Sequence, residues 1–282
     1  MKKALLVVSF GTTFHDTLEK NIAAIERDLA AAFPDRDLYR AFTSGMIIRR
    51  LRERDGIQID NTQEALERLA ANGYSDVILQ STHVMNGEER DKMMAHALPF
   101  VERFQSLTFG APLLTEIEDY RAAAKALLAR LPEKREDSAI VYMGHGTEHH
   151  ANAVYALLEY VLHDMGRTDI HIGTVEGYPG FDEVCRRLEE QGGVTNVLLV
   201  PLMVVAGDHA RNDLAGEEPD SWKNLLAERG YAVSCQIEGL GENPAIRAIF
   251  VDHARAAAEG ERRRGISQEN ERQMPAAARE TI

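Results

Sequence analysis

The sequence predicts an α/β protein of two similar domains, each a four-stranded parallel sheet flanked by helices, related by a pseudo-two-fold. Three observations lead there. Short runs rich in Val, Ile and Leu alternate along the chain with amphipathic helical patterns, as in parallel sheets covered on both faces. Residues 76–89, DVILQSTHVMNGEE, return at 196–209 as NVLLVPLMVVAGDH; the constant offset of 120 sets Gly87 on Gly207 and Glu89 on His209. Residues 7–13, VVSFGTT, resemble VYMGHGT at 141–147, and matching their Gly-Thr pairs sets Phe10 opposite His145. An internal repeat shapes the fold before any local assignment, and here the second copy gains two histidines at strand ends.

In order, the first half reads as strands over 3–9, 37–42, 76–82 and 107–112, with helices over 15–32, 45–54, 62–72, 87–104 and 115–130. ALLVVSF after Lys2-Lys3 is a buried first strand rather than an export signal, because polar GTTFHD follows without a small-residue cleavage pattern. Asn61 opens the third helix as a cap and Asn72-Gly73 closes it. Leu131 to Ser138, charged and containing Pro132, is the linker. The second half has strands over 138–143, 170–176, 196–203 and 232–237, and helices over 151–165, 181–191, 220–229 and 244–259. Asn243-Pro244 starts the last of these. The expected organisation is a first domain at 1–131, a second at 138–260 carrying the metal site, and a polar tail at 261–282, flexible or a loosely docked helix.

Composition narrows the function. A net charge of −13, from 32 basic and 45 acidic residues, argues against nucleic acid as a partner. No run approaches the ~20 apolar residues needed to span a bilayer, so no membrane association is expected. The two cysteines, Cys185 and Cys235, cannot form a C-x-x-C pair, which excludes thiolate metal sites and fits a reduced, cytoplasmic setting. The loops at 10–13 and 144–147 lack both the Lys-Ser/Thr of a P-loop and a full G-x-G-x-x-G, so no nucleotide cofactor is expected. A homo-oligomer is left open.

Open α/β sheets bind ligands beyond the carboxyl ends of their strands. That rule places Phe10, Gly11, Thr12, Ser44, Gly45 and His83 on the ligand face of the first half, with Glu88 and Glu89 close behind. In the second half it selects His145, Glu176 and His209, each beside glycine. Two imidazoles and a carboxylate suit Co, Fe, Ni or Zn better than Mg or Ca. Structural explanations stand beside this one. His145 fits a turn residue bonding its own backbone, Asp208 fits a helix cap that leaves His209 merely exposed, and Glu176 fits a solvated charge. Glu88 and Glu89 fit carboxylates complementing a helix dipole. His149 and His150, beside His145, fit a local metal tract or solvated neighbours in a helix-entry loop, and His15, His96, His163, His171 and His253 fit structural or surface roles.

Five motifs in order carry a resemblance: Ser9-Phe-Gly-Thr-Thr13, His83-Val-Met-Asn-Gly-Glu-Glu89, Gly144-His-Gly-Thr147, Val175-Glu-Gly-Tyr-Pro179 and Gly207-Asp-His-Ala-Arg-Asn-Asp213. Together, over about residues 2–259, the chain resembles the anaerobic sirohydrochlorin cobaltochelatases, which are class II, ATP-independent, single-subunit tetrapyrrole chelatases. The resemblance implies two α/β domains facing each other across a macrocycle-binding cleft. It implies insertion of Co(II), the substrate metal, into sirohydrochlorin on the early-cobalt branch of cobalamin synthesis. It makes His145, Glu176 and His209 the metal ligands and His145, Glu89 and His209 the catalytic groups, with His145 also moving protons. The spacing from Gly87 favours Glu89 over Glu88. Alternatives are a siroheme-forming ferrochelatase, since such ligands do not select one metal, a non-catalytic metal or tetrapyrrole carrier, and a small-molecule binder with structural histidines. Sirohydrochlorin carries eight carboxylates, so an acidic protein must supply local donors. The candidates are Arg49 or Arg50 (in a basic run with Arg52 and Arg54), strand-end glycine N–H groups and Arg211, in a cleft less negative than the rest of the surface.

Overall fold

The computed structural model describes residues 2–273, with side chains through Gly260. The first half runs β1 (Lys2–Ser9), α1 (His15–Thr17), α2 (Ala23–Ala32), β2 (Asp37–Phe42), α3 (Gly45–Asp55), β3 (Asp60–Asn61), α4 (Thr62–Ala71), β4 (Tyr74–Ser81), α5 (Glu88–Ala97), β5 (Ser106–Gly110) and α6 (Ile117–Leu128). The second runs β6 (Ser138–Gly144), α7 (Ala153–Asp164), β7 (Ile170–Thr174), α8 (Phe181–Gln191), β8 (Asn196–Pro201), α9 (Trp222–Glu228), β9 (Ala232–Cys235) and α10 (Pro244–Gln273). Among the described residues these build two parallel sheets, ordered β3-β2-β1-β4-β5 and β7-β6-β8-β9. The shared part of that order, with β6 in the place of β1 and β8 in the place of β4, is the repeat seen in the sequence.

The central strands are apolar on both faces, and alternation sends their side chains into different cores. From β1, Leu5 and Val7 enter a core shared by both halves, while Ala4, Leu6 and Val8 enter one private to the first. From β6, Ile140 and Tyr142 join the shared core and Ala139, Val141 and Met143 a core private to the second. Helix α10 fixes the halves together. Its Phe250 is fully buried in the shared core, Arg247 reaches Asp28 at 2.6 Å, and His253 bridges the Ala111 carbonyl and Asp119. The helix that ends the second half in sequence therefore packs on the first.

Three details depart from expectation. The first sheet has a fifth strand, β3, whose Asp-Asn pair carries no strand propensity but adds to the β2 edge through Ala41 and Phe42. The helix expected over 15–32 contains a π turn at Leu18–Ile22, and that over 87–104 tightens to 3-10 at Leu98–Arg103, where Pro99 supplies no N–H. Of the expected tail at 261–282, the backbone continues α10 to Gln273; residues 274–282 lie outside the described residues. Among the described residues no helix is long and apolar enough to cross a membrane.

Candidate metal centre and cleft

His145 follows β6, held between two glycines whose absent side chains make room for its neighbours. A Cβ on Gly144 would fall 2.3 Å from the Tyr155 ring. Gly146, at φ +81, would set one 2.6 Å from the Gly177 nitrogen, in a conformation open mainly to glycine. The loop this permits turns the imidazole so that Nδ1 donates to the Gly146 carbonyl at 2.9 Å. The expected structural explanation, a histidine bonding its own backbone, is thus true and compatible with the other. With the proton on Nδ1, Nε2 keeps its lone pair.

Glu176 was expected at the end of a strand; instead β7 stops at Thr174 and the next residues pair one step beyond the sheet. Val175 N donates to the Gly144 carbonyl and Glu176 N to that of His145, at 3.1 and 2.8 Å. Asn152 braces this turn, accepting from Thr147 N at 3.0 Å and donating to the Tyr178 carbonyl. Glu176 Oε2 comes to rest 3.7 Å from His145 Nδ1.

His209 begins a π turn, Ala210–Leu214, after β8. That turn brings Asp213 back onto it, and His209 Nδ1 donates to the Asp213 carboxylate. Asp208 does not cap the helix: its Oδ1 accepts from Asn212 Nδ2 at 3.1 Å. A carboxylate on the far nitrogen of an imidazole fixes the tautomer and raises basicity at the other, the arrangement common behind metal ligands. The rings of His145 and His209 meet edge to face, with centroids 4.6 Å apart. One ligand atom each from His145, Glu176 and His209 all lie within 4.8 Å of one another. Bonds of about 2.0–2.2 Å to one ion place such atoms roughly 3–4 Å apart, so modest side-chain rotations suffice.

A second trio, Glu159, His163 and His171, meets the same distance condition but is already engaged. The Glu159 oxygens accept from Ile172 N and from Arg187, and His163 Nε2 donates to the Ile170 carbonyl. It ties α7 to β7 and α8.

The first trio opens on a cleft of about 690 Å³ lined by both halves. Phe10, Gly11, Thr12, His83, Glu88 and Glu89 line it as expected; Ser44 and Gly45 do not. Ser44 follows β2, but its hydroxyl is occupied accepting from Ile47 N at the start of α3. His83 is held by Ser81 Oγ at 2.8 Å and Thr43 Oγ1 at 3.3 Å. Burial and then the charge of Arg90 push its pKa down to about 4, so the ring is neutral. Glu89 faces Lys92 at 3.6 Å, and its Oε2 is buried with no hydrogen-bond partner. Of the expected cations only Arg50 lines the cleft. Arg211 is committed to Asp16 at 2.6 Å and stacks on Phe14. The charged lining is mixed: Arg50 and Arg90 stand with Glu88, Glu89, Glu176 and Asp208. Strand-end placement does not select Asp213, Asn152 or Arg90, which the structure brings to the site. Only Asp213 left a signal, its i,i+4 spacing from His209.

The family model for cobalt chelatase (CbiK) matches residues 3–259. The chain belongs to that family. It is 52% identical over 257 residues to the sirohydrochlorin cobaltochelatase of Salmonella typhimurium, covering 91% of this chain and 97% of that protein. To the sirohydrochlorin cobaltochelatase CbiKC of Nitratidesulfovibrio vulgaris it is 35% identical over 259 residues, 91% of this chain and 90% of the other. Among solved structures, SirB from Bacillus subtilis with Fe3+ superposes with a TM-score of 0.64 at 16% identity, over 93% of this chain and 98% of that one. At that identity the match speaks for the fold alone.

Proposed function

We propose that this member of the family inserts Co(II) into sirohydrochlorin, and that His145, Glu176 and His209 hold the incoming metal. The observation carrying this reading is the convergence of those three side chains at the mouth of a two-sided cleft. The names of the two relatives favour cobalt over iron as the substrate metal. The two free cysteines fit a reduced, cytoplasmic site of action, and the acidic net charge leaves nucleic acid without a role.

The chemistry follows from the donor set. Two imidazole nitrogens and one carboxylate grip the ion while leaving positions open for pyrrole nitrogens; a closed four-ligand cage would trap it. Insertion exchanges one divalent ion for two protons. Each pyrrole N–H gives its proton to a base and its lone pair to cobalt. In this reading Glu89, on the opposite half, is one such base, which its unpartnered oxygen supports, and His145 serves as the other once the ion has passed to the ring. A positioned base contributes roughly 10²–10⁴ in rate. Confinement of ring and ion supplies much of the rest, and exposed Phe10 and Met46 give the macrocycle apolar surface.

The test is insertion followed by the visible spectrum of sirohydrochlorin, with Co(II), Fe(II) and Ni(II) in parallel. Catalytic turnover with cobalt fastest supports the proposal. Faster turnover with iron would reassign the chain to siroheme formation, and one-to-one binding without turnover would make it a carrier.

A further inference from the structure

Arg90 is only 9% exposed, yet it lines the cleft. Its acidic neighbours are turned elsewhere, Glu89 toward Lys92 and Asp91 toward His149 at 3.4 Å. Among the described residues the guanidinium has no ion-pair partner, and its Nε is buried without a hydrogen bond. Burying an unpaired charge is strongly unfavourable unless something completes it. Burial accordingly pushes its pKa down.

The fold does not require a cation here. At the repeat offset of 120, Arg90 corresponds to Ala210, which is fully buried in the second half. The same helix start that takes a methyl group there takes a guanidinium here, a burial that is unfavourable for an unpaired charge. Planar, delocalised arginine is the side chain best matched to a carboxylate. Among the described residues the two forked nitrogens make no hydrogen bond and are not sealed off as Nε is, and the residue lines the cleft.

We infer that Arg90 is the anchor for a carboxylate of the tetrapyrrole substrate, seating the ring by its rim while the metal trio works at its centre. This rests on the proposed chelatase reading and assigns to it a recognition residue. Arg50, exposed on the same wall, adds attraction at the entrance, but exposure to water leaves it a smaller share.

The experiment compares the parent with Arg90→Gln and Arg90→Lys in the full chain. Steady-state insertion gives KM for sirohydrochlorin and kcat; a separate titration gives the affinity for Co(II) alone. For Arg90→Gln, KM should rise about 10- to 100-fold, with kcat and cobalt affinity within about threefold; Arg90→Lys should recover part of the loss. The melting temperature of Arg90→Gln without substrate should equal or exceed the parent's, because an unpaired buried charge has been removed. An unchanged KM alongside parental turnover would overturn the inference and leave the chelatase reading intact. A lower melting temperature with KM and cobalt affinity both altered would make Arg90 structural. If the parent shows no turnover, the chelatase reading fails. Fluorescence titration with metal-free uroporphyrin then decides Arg90 alone: weaker binding by Arg90→Gln supports the anchor, and equal binding refutes it.

Discussion

The two halves of the molecule share a backbone and differ in what they hang on it. In the first, Thr43 N donates to Ser9 O and Ser44 N to Phe10 O; in the second, Val175 N donates to Gly144 O and Glu176 N to His145 O. Thr82 N meets Val8 O as Leu202 N meets Met143 O. These pairs superimpose Phe10 on His145 and Ser44 on Glu176, and the offset of 120 adds Glu89 on His209. The backbone geometry that assembles three ligand atoms in one half assembles a phenyl ring, a helix-capping hydroxyl and an unpartnered carboxylate in the other. A metal trio is therefore not a property of this fold but of three side chains placed on it. The asymmetry also suits the proposed chemistry, in which one wall would grip the ion while the other would support the ring and accept protons.

The most direct way to break that division is His145→Ala. Cobalt insertion should fall at least about 10³-fold, since both a ligand and a base are lost, with circular dichroism unchanged. Insertion at the parental rate would remove the second half from the chemistry. Glu89→Gln tests the opposite wall. We expect kcat to drop about 10²-fold while Co(II) affinity, measured by calorimetry, shifts by less than about twofold. A parallel loss of cobalt affinity would make Glu89 a ligand and erase the contrast with His209. Asp213→Asn should act more mildly, weakening Co(II) binding about 10- to 100-fold through the orientation of His209. Unaltered binding would mean that the His209–Asp213 contact only stabilises the π turn.

What the sequence disclosed follows the same line. The repeat made strand ends comparable, so Phe10 against His145 and Glu89 against His209 stand out as positions where two copies of one plan diverge; Glu176 follows from the strand-end rule alone, and its counterpart Ser44 is visible only in the backbone pairing. Ser44 and Gly45 were misplaced by the rule that made those choices possible: a residue just after a strand is near the cleft, but helix capping can claim its side chain first. Arg90 was illegible because Glu88-Glu89-Arg90-Asp91 reads as a solvated, charged helix start. Its burial depends on how α5 is rotated against its sheet, which no local pattern encodes. Asp213 needed the turn after His209 to be known. The strand β3 is a tertiary product, two polar residues drafted onto an edge.

His83 sharpens the comparison at its smallest scale. It is the histidine of the first wall, and by residue type alone it invites assignment as another metal ligand. Both its nitrogens are instead within hydrogen-bond distance of hydroxyls, Ser81 Oγ and Thr43 Oγ1. Its folded pKa of about 4 lies below the ordinary value of about 6.5. Between those values the unfolded chain binds a proton that the folded chain refuses, so stability is lost as pH falls from about 6.5 toward 4, and the effect is flat above that window. Full burial would set the swing near 3 kcal/mol; the ring is partly open to the cleft, which reduces it to about 1–2 kcal/mol. Urea midpoints at pH 7 and pH 5 should therefore differ more for the parent than for His83→Gln, which keeps a hydrogen-bonding group at that position. Parallel pH profiles would mean that the ring titrates like a solvated one, and the first wall would then carry a switchable charge where we place a neutral brace.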